Sequence, residues 1–134
     1  MVKSQANLMV KDKTYKIAVI EDDVPIRELY VFKLKKEGFD VQSAGDGIEG
    51  LEMVSSFKPD LILLDLLMPN KNGEDMLEEL RQFDWAKSIR VIVLTNISKD
   101  EAPSKLRLLN VDRYIVKAHY TPHQVVDIVR KVLE

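Results

Sequence analysis

Hydrophobic positions divide the chain into short apolar runs separated by longer stretches with helical spacing. Five runs are continuous rather than alternating, and they cover residues 16–20, 39–43, 60–64, 90–94 and 113–116. Strands have this pattern when both faces of a parallel sheet are covered. The runs therefore predict five strands of one parallel sheet.

Between the runs, apolar residues recur every three or four positions, which is typical of helices that bury one face. The first helix is marked at both ends, by Pro25 in its first turn and by Gly38 just after its last. The second helix is predicted to end before Lys58-Pro59, and the third to extend as far as Phe83.

The last two helices are predicted from proline positions. A short fourth helix is expected to begin near Asp100, since Pro103 is tolerated only in a first turn, and to end at Asn110. Thr121-Pro122-His123-Gln124 is a capping box that predicts the start of a fifth helix. Strands thus alternate with helices, which indicates an α/β fold: a doubly wound, five-stranded parallel sheet with five helices. Residues 1–14 lie outside the pattern and are interpreted as an N-terminal extension to one domain, 15–134.

Composition narrows the function without identifying it. The 134 residues, 46% apolar and 31% charged, suit one globular domain with a real core. A formal charge of −2 offers no general attraction to nucleic acid or anionic membrane, so neither is an expected partner. The absence of cysteine excludes disulfides and thiolate nucleophiles and suits the cytoplasm. No apolar run approaches the ~18 residues of a membrane span, and residues 1–14 contain no signal peptide.

Polar residues follow four of the predicted strands. Glu21-Asp22-Asp23 comes after the first, Asp65 after the third, Thr95 after the fourth and Lys117 after the fifth. The carboxyl ends of parallel strands meet at one edge, where ligands bind in such folds. Converging carboxylates repel one another unless a cation lies among them, and an oxygen-only ligand set suits Mg²⁺. Gly45-Asp46-Gly47 lies in a different loop and lacks the lysine of a phosphate-binding loop, so nucleotide binding is disfavoured.

The segment after the third run carries a motif. Asp65-Leu66-Leu67-Met68-Pro69-Asn70-Lys71-Asn72-Gly73 resembles the D-x-x-M-P-x-x-x-G signature of response-regulator receiver domains of two-component phosphorelay systems. Glu21-Asp22 matches the acidic pair of that family, Thr95 its hydroxyl, Tyr114 its aromatic switch residue and Lys117 its lysine. The resemblance covers residues 15–134 and implies the flavodoxin-like (βα)5 arrangement.

The resemblance implies a signalling phosphoacceptor rather than an enzyme. A phosphohistidine on a sensor histidine kinase or histidine phosphotransfer protein would donate to Asp65, with slow autodephosphorylation afterwards. Mg²⁺ or Mn²⁺ would be ligated by Asp22, Asp65 and the backbone carbonyl of Leu67, with Glu21 acting through water. Lys117 would pair with Asp65 at rest and with a phosphoryl oxygen after transfer, and the Thr95 hydroxyl would donate to another phosphoryl oxygen.

The output implied by the resemblance is a change in partner binding. Thr95 and Tyr114 would couple the phosphoryl group to a face made by the fourth helix, fifth strand and fifth helix, where Leu108 is expected to be exposed. An unidentified downstream protein would bind there, and the chain would be a monomer or a weak phosphorylation-dependent dimer.

The chain departs from the family pattern at several positions. Ala118 replaces the proline that usually follows the lysine, and a trans Lys117–Ala118 bond is expected because a non-proline cis bond costs about 2.5–4 kcal/mol. Asn96 stands where a smaller residue is usual and would narrow access to the site. In the family, the residues two positions after the phosphoacceptor and after the hydroxyl flank the approach of a hydrolytic water, and here they are Leu67 and Ile97. Because aliphatic side chains cannot orient water, a long-lived acyl phosphate is expected, unless the two simply pack against each other or a partner.

Other interpretations of the same residues are weighed against this one. A degenerate receiver that acts only as an interaction module would not need all the matched polar residues. Hydrolases that use an aspartyl phosphate place a D-x-D pattern after the first strand, which Glu21-Asp22-Asp23 does not match, and the same acidic loop would repel a flavin phosphate. Asp23 is interpreted as a helix cap, and His119 and His123 as surface residues.

Overall fold

The computed structural model describes residues 13–134. Within this range it contains one five-stranded parallel sheet with the strand order β2-β1-β3-β4-β5. The strands are β1 (Lys16–Ile20), β2 (Asp40–Ala44), β3 (Leu61–Leu64), β4 (Arg90–Thr95) and β5 (Arg113–Val116). The predicted strands are confirmed to within one residue at each end, and most of the proposed N-terminal extension, 1–14, lies outside the described residues.

β2 begins one residue later than predicted. The Phe39 amide still belongs to the turn that ends the preceding helix, since it donates to the Leu34 carbonyl (3.2 Å). Asp40 is the first residue paired with β1, opposite Lys16. Phe39 continues the apolar run, but its amide hydrogen bond belongs to the end of the helix, so the run extends one residue beyond the strand.

The described residues form four α-helices: α1 (Val24–Lys36), α2 (Gly47–Phe57), α3 (Gly73–Leu80) and α4 (Pro122–Leu133). Each is capped by a side chain that accepts a backbone N–H bond of the first turn, from Asp23, Asp46, Asn72 and Thr121 respectively. The predicted capping box of the C-terminal helix α4 is confirmed, as is the cap role of Asp23. Gly38 has φ +96°, the left-handed conformation expected beyond α1.

α3 ends earlier than predicted, at Leu80. The Arg81 guanidinium donates to carbonyls of the following loop, at Ala86 (2.8 Å) and Ile89 (3.0 Å), and this turns the chain toward β4. Phe83 thus lies outside the helix, 47% exposed, with its ring stacked on Trp85 at 5.8 Å between centroids. The apolar spacing continued past the point where the backbone leaves the helix.

The predicted fourth α-helix is wrong. Two 3₁₀ turns, Lys99–Glu101 and Ser104–Leu108, occupy its place. Ala102, just before Pro103, has extended backbone (φ −61°, ψ 142°), as expected because a proline ring disfavours helical geometry in the preceding residue. Too few residues remain before Asn110, whose left-handed φ of 57° was expected, for an α-helix to develop.

Buried side chains cover both faces of the sheet, as the continuous apolar runs predicted. Ala18, Ile62 and Val93 face one cluster, which includes Met76 and Leu77 of α3. The other face packs against α1 and α4 and includes the residues Ile17, Val19, Leu63, Ile92, Tyr30, Leu34, Val125 and Val129. The doubly wound α/β class is therefore confirmed, with four α-helices and 3₁₀ turns instead of five α-helices. None of the helices in residues 13–134 is long and apolar enough to cross a membrane.

Candidate functional site

Three carboxylates converge at the carboxyl edge of the sheet. β1 and β3 are neighbours with Ile20 opposite Leu64, so the residues that follow both strands leave the sheet side by side. Glu21, Asp22 and Asp65 each have a carboxylate oxygen within 4.8 Å of the others. Glu21 and Asp65 are buried, at 4% and 6% exposure, whereas Asp22 faces solvent. The structure thus brings together the acidic residues that the sequence placed at one edge.

Lys117 reaches this cluster from the end of β5. Its Nζ donates to Glu21 Oε1 at 2.6 Å and to Asp65 Oδ2 at 3.3 Å. The resting partner of Lys117 is therefore shared, and the closer carboxylate is Glu21 rather than the expected Asp65. One cation serves two buried acids, which reduces the cost of burying both charges.

Burial and charge shift the pKa values of this ion pair. Burial raises the pKa of Glu21 to about 7; the Asp65 charge adds to this rise, while the Lys117 hydrogen bond opposes it. Burial disfavours the charged form of Lys117, but its hydrogen bond to Glu21 and the charge of Asp65 outweigh burial and raise the Lys117 pKa. The lysine is therefore charged near neutral pH, and Glu21 is poised to exchange a proton there.

The Asp65 carboxylate is oriented by its own loop. Oδ1 accepts the amide of Leu66 at 2.7 Å and that of Leu67 at 3.4 Å, while Oδ2 faces Lys117. Leu67 is 62% exposed, so this residue lies at the surface two positions after the buried Asp65. The chain turns at this point so that one carboxylate oxygen is bound by its own backbone and the other by the lysine.

Gly73 ends this loop and allows two backbones to touch. Its amide donates to the Leu66 carbonyl at 2.9 Å. A Cβ at Gly73 would lie 2.2 Å from the carbonyl oxygen of Asp65, closer than any side chain permits. The last position of the motif must therefore be glycine for Asp65 to lie against the start of α3.

The hydroxyl and the aromatic residue are connected through one residue, Ile97. Thr95 is fully buried, and its Oγ1 accepts the Ile97 amide at 3.4 Å. The Tyr114 hydroxyl donates to the Ile97 carbonyl at 2.8 Å. The Ile97 side chain is partly buried against the apolar cluster of the α3 face, rather than packed only on Leu67. Burial, and next the nearby charges of Glu74 and Asp65, raise the pKa of the Tyr114 phenol.

Two residues of α1 that the sequence analysis did not single out also support the site. Arg27 donates from a guanidinium nitrogen to the Glu21 carbonyl at 2.8 Å, which holds the acidic loop against α1. Tyr30 is buried, and burial together with the Glu21 charge raises its pKa to about 12. Both lie on the helix face that follows the Asp23 cap, and this spacing could have identified them.

The donor set suits a hard divalent cation. Its ligand atoms are carboxylate oxygens, which Mg²⁺ and Mn²⁺ prefer. Glu21 is already occupied, by Lys117 at one oxygen and by the Asp23 amide (3.1 Å) at the other. Asp65 is also engaged, with Oδ1 bound by the Leu66 and Leu67 amides and Oδ2 by Lys117, so the exposed Asp22 is the carboxylate most open to a cation.

Comparison with known proteins is decisive for the family. The model of the response regulator receiver domain matches residues 17–130, nearly the whole described chain. The chain belongs to the response regulator receiver domain family. The sequence motif, the sheet order and the acidic edge of this receiver domain agree with that membership.

Solved structures show the same fold. The chemotaxis response regulator CheY4 of Vibrio cholerae is 22% identical with a TM-score of 0.82, covering 90% of this chain and 99% of its own. A CheY-like receiver domain protein from Methanospirillum hungatei is 24% identical, with a TM-score of 0.80 and coverages of 90% and 94%. The receiver domain of the Francisella response regulator 1452 is 26% identical, with a TM-score of 0.78 and coverages of 90% and 97%.

The peptide bond after Lys117 has the geometry that the sequence predicts. The described residues contain no cis peptide bond, so Lys117–Ala118 is trans. Lys117 nevertheless reaches both buried acids. His119 and His123 are exposed, as predicted.

Proposed function

We propose that this receiver domain accepts a phosphoryl group on Asp65 from a phosphohistidine of a sensor histidine kinase or histidine phosphotransfer protein in the cytoplasm. The observation that carries the proposal is that the Asp65 carboxylate lies beside both the ammonium group of a lysine and an exposed carboxylate. Lys117 lies 3.3 Å from its Oδ2, and Asp22 belongs to the same cluster of acidic oxygens. This arrangement positions a nucleophile and neutralises charge, which is what phosphoryl transfer requires.

In the transfer, an Asp65 oxygen forms a bond to phosphorus while the bond from phosphorus to the donor imidazole nitrogen breaks. The bonding electron pair stays on the imidazole, and the product is an acyl phosphate. Asp22, Asp65 and the backbone carbonyl of Leu67 would hold Mg²⁺ or Mn²⁺, with Glu21 acting through water, and the bound cation would neutralise charge on the phosphoryl oxygens.

After transfer, Lys117 moves its contact from the Asp65 carboxylate to a phosphoryl oxygen. Thr95 turns its hydroxyl from accepting the Ile97 amide to donating to another phosphoryl oxygen. Because the Ile97 carbonyl accepts from Tyr114, a shift of Ile97 caused by Thr95 changes the acceptor available to the Tyr114 hydroxyl. Thr95 and Tyr114 are thereby coupled through a single residue.

The proposed output surface is the region around β5. A groove of about 790 Å³ lies between the two 3₁₀ turns and β5, and Tyr114 is among the residues that line it. Leu108 beside it is 87% exposed. We propose that a downstream protein binds here according to the state of Asp65. The chain would work as a monomer or weak phosphorylation-dependent dimer that does not itself bind nucleic acid.

The decisive experiment is labelling by acetyl phosphate in Mg²⁺, followed by mass spectrometry. We expect one phosphoryl group on the parent, none after chelation of the metal, and none on Asp65→Asn or Asp22→Ala. Asp23→Ser is the matched control, because serine can also cap α1 and the variant should be labelled like the parent. A parent that is not labelled would favour a pure interaction module, and labelling of Asp22→Ala equal to the parent would refute the assigned metal site.

A further inference from the structure

Two loops beside the acidic edge are joined by a pair of hydrogen bonds. The β2–α2 loop (residues 45–46) meets the β3–α3 loop (residues 65–72), which begins at the phosphoacceptor. Asn70 Nδ2 donates to Asp46 Oδ2 at 2.7 Å, and the Gly47 amide donates to the Lys71 carbonyl at 2.9 Å. The contact therefore joins a loop with no assigned role to the loop that carries Asp65.

The contact joins a buried Asp46 to an exposed Asn70 beside two closely apposed backbones. Asp46 is 7% exposed, and its Oδ1 accepts the Glu49 amide at 2.8 Å, which fixes the carboxylate on the start of α2. Asn70 has a left-handed φ of 68°. A Cβ at Gly47 would lie 2.4 Å from the Lys71 carbonyl oxygen, so the two backbones lie as close as glycine allows.

The Asp46 carboxylate is charged when it makes this contact. Hydrogen bonds from the Glu49 amide, and next from Asn70, lower its pKa from the usual 3.8. Hydrogen bonds to a charged acceptor are stronger than neutral ones. Asn70 is thus held by an anchor that does not depend on the acids of the site.

The middle of the β3–α3 loop needs such an anchor. Its first part is held by the Leu66 and Leu67 amides on Asp65, and its end by the Gly73 amide on the Leu66 carbonyl. Leu67 is 62% exposed, whereas Met68 packs partly buried against the apolar cluster of the α3 face. The Asn70 and Lys71 contacts consequently attach the part of the loop beyond Met68 to the neighbouring strand-to-helix connection.

We propose that Asp46 and Asn70 are positioning residues for phosphoryl transfer, whose hydrogen bond holds the loop so that the Leu67 carbonyl and Asp65 can bind the same divalent cation. The inference rests on the function proposed above. Neither residue touches the reacting atoms. Binding of one ion by two ligands costs free energy because both ligands must be held in fixed positions. A loop that is already ordered by the Asp46–Asn70 hydrogen bond loses less conformational entropy when the ion binds.

Two substitutions remove this hydrogen bond from opposite sides and leave the other role of each residue intact. Asp46→Ser keeps a side chain that can cap α2 but is too short to reach Asn70. Asn70→Gly keeps a residue that adopts positive φ without strain but has no amide group. Each variant should raise the half-saturating Mg²⁺ concentration about three- to tenfold, since a single hydrogen bond is worth roughly that factor.

The measurements separate positioning from stability. Mg²⁺ affinity is measured by calorimetry and by amide chemical shifts of residues 65–72, without any phosphoryl donor. The labelling rate is then followed against Mg²⁺ concentration, and at saturating Mg²⁺ it should stay within about twofold of the parent. In the metal-free variants, amide hydrogen exchange should accelerate in residues 66–72 and not in β1 or β3. The double variant should be no worse than either single variant, because both lose the same bond.

Matched controls come from the same chain. Asn110→Gly makes the identical change at another left-handed asparagine (φ 57°), away from the acidic edge, and Thr121→Ser replaces the cap of α4. Both should leave the Mg²⁺ titration unchanged. The exchanged pair Asp46→Asn with Asn70→Asp restores a donor and an acceptor and should recover most of the lost affinity.

The outcomes are distinct. Unchanged Mg²⁺ affinity in both single variants, or full additivity in the double variant, overturns the positioning role while leaving the proposed function intact. A parent that binds Mg²⁺ but is not labelled overturns the proposed function, while the Mg²⁺ titrations and amide exchange still decide the role of Asp46 and Asn70. A parent that binds no Mg²⁺ overturns both.

Discussion

Lys117 is the residue that makes the buried acids compatible with one another. Its ammonium lies 2.6 Å from Glu21 and 3.3 Å from Asp65, two carboxylates that are almost inaccessible to water. Removal of one partner from a buried ion pair leaves an uncompensated charge, which costs more than the pair itself contributes. The pKa of about 7 for Glu21 indicates that its burial is only partly compensated. One lysine therefore does not fully neutralise the two buried carboxylates, and a further positive charge at this site would be favourable.

Gly73→Ala should destabilise the protein more than Gly38→Ala. The new Cβ at residue 73 would lie 2.2 Å from the Asp65 carbonyl oxygen, whereas at residue 38 it would meet open space. The expected cost at Gly73 exceeds about 3 kcal/mol because backbone must move, while Gly38→Ala costs only the ~1–2 kcal/mol of a left-handed alanine. Urea unfolding of both variants measures the difference, and equal losses would show that the close approach at Gly73 relaxes freely.

The acyl phosphate should be long-lived because of Leu67 and Ile97. Neither side chain can hydrogen-bond an attacking water, and Leu67 is exposed where it would stand in the approach. Leu67→Asn with Ile97→Glu should accelerate dephosphorylation about ten- to hundredfold by orienting that water. The measurement is the decay of labelled protein after removal of the donor. Equal decay rates for the parent and the double variant would contradict the proposed role of these residues.

At the scale of elements, the connection between β4 and β5 (residues 96–112) differs most from the helix that the sequence predicts. Its polar attachments include those of Tyr114 to the Ile97 carbonyl, of Lys105 to Asp75 (2.6 Å) and Glu78 (3.3 Å) of α3, and of Arg81 to the carbonyl of Leu109 (2.9 Å). Between these points it consists of two short 3₁₀ turns. A segment with few backbone bonds of its own and a few side-chain attachments is well suited to having two arrangements.

Lys105→Ala should loosen this connection without unfolding the domain. The variant loses the two ion pairs to α3, so amide hydrogen exchange should rise in residues 99–109 and remain unchanged in β1 and β3. Lys99→Ala is the control, since Lys99 lies in the same connection and makes no ion pair within the described residues. Exchange that rises equally in both variants would mean that Lys105 does not attach the segment.

The same attachment should weaken in acid. The hydrogen bond from Lys105 lowers the pKa of Asp75 below its usual 3.8, so the stabilising interaction is present above that pH and is lost as pH falls through the lower, folded-state value. The Asp75→Asn variant has no carboxylate at residue 75 and therefore does not lose this interaction by protonation. The difference in exchange of residues 99–109 between the parent and Asp75→Asn should therefore be largest near neutral pH and shrink below pH 3.8.

At the scale of the whole molecule, the acidic edge and the proposed partner face share β4 and β5. Thr95 ends β4 and pairs with Val116 of β5, while Tyr114 stands opposite Val93. The residues that connect Asp65 to the groove beside β5 therefore lie close together at the carboxyl ends of β4 and β5. This connection does not pass through the core. The opposite side of the sheet, β2 with its flanking helices, is outside this path.

Phosphorylation should produce amide chemical-shift changes concentrated in residues 96–112, in β5 and at the start of α4, besides those adjacent to Asp65. The physical reason is that Ile97 connects Thr95, through its amide, to Tyr114, through its carbonyl, and is the point at which a bound phosphoryl group would alter residues 96–112. Spectra of parent and Tyr114→Phe with and without acetyl phosphate provide the test, and the variant should lose the changes beyond residue 98. Changes confined to α1 and α2 would contradict the proposed face.

Several errors in the sequence-based description have one origin. Phe39, Phe83 and Leu106 continue apolar patterns, yet Phe39 belongs to a helix-ending turn, Phe83 lies outside α3, and Leu106 is buried from a 3₁₀ turn. An apolar pattern reports which residues face the core and not which backbone hydrogen bonds they make. Element ends depend on those bonds, and in α3 on an arginine whose acceptors lie outside the helix.

The sequence by itself determined the class of fold and the edge at which the chemistry lies. Continuous apolar runs require a sheet covered on both faces, and parallel strands bring their carboxyl ends together, so Asp22, Asp65, Thr95 and Lys117 could be placed at one edge from spacing alone. Only the tertiary structure decided that Lys117 lies nearer to Glu21 than to Asp65 and that Asp46 binds Asn70. Hydrophobic periodicity acts over a few residues, whereas these contacts join side chains 24 to 96 positions apart whose separation depends on the packed sheet.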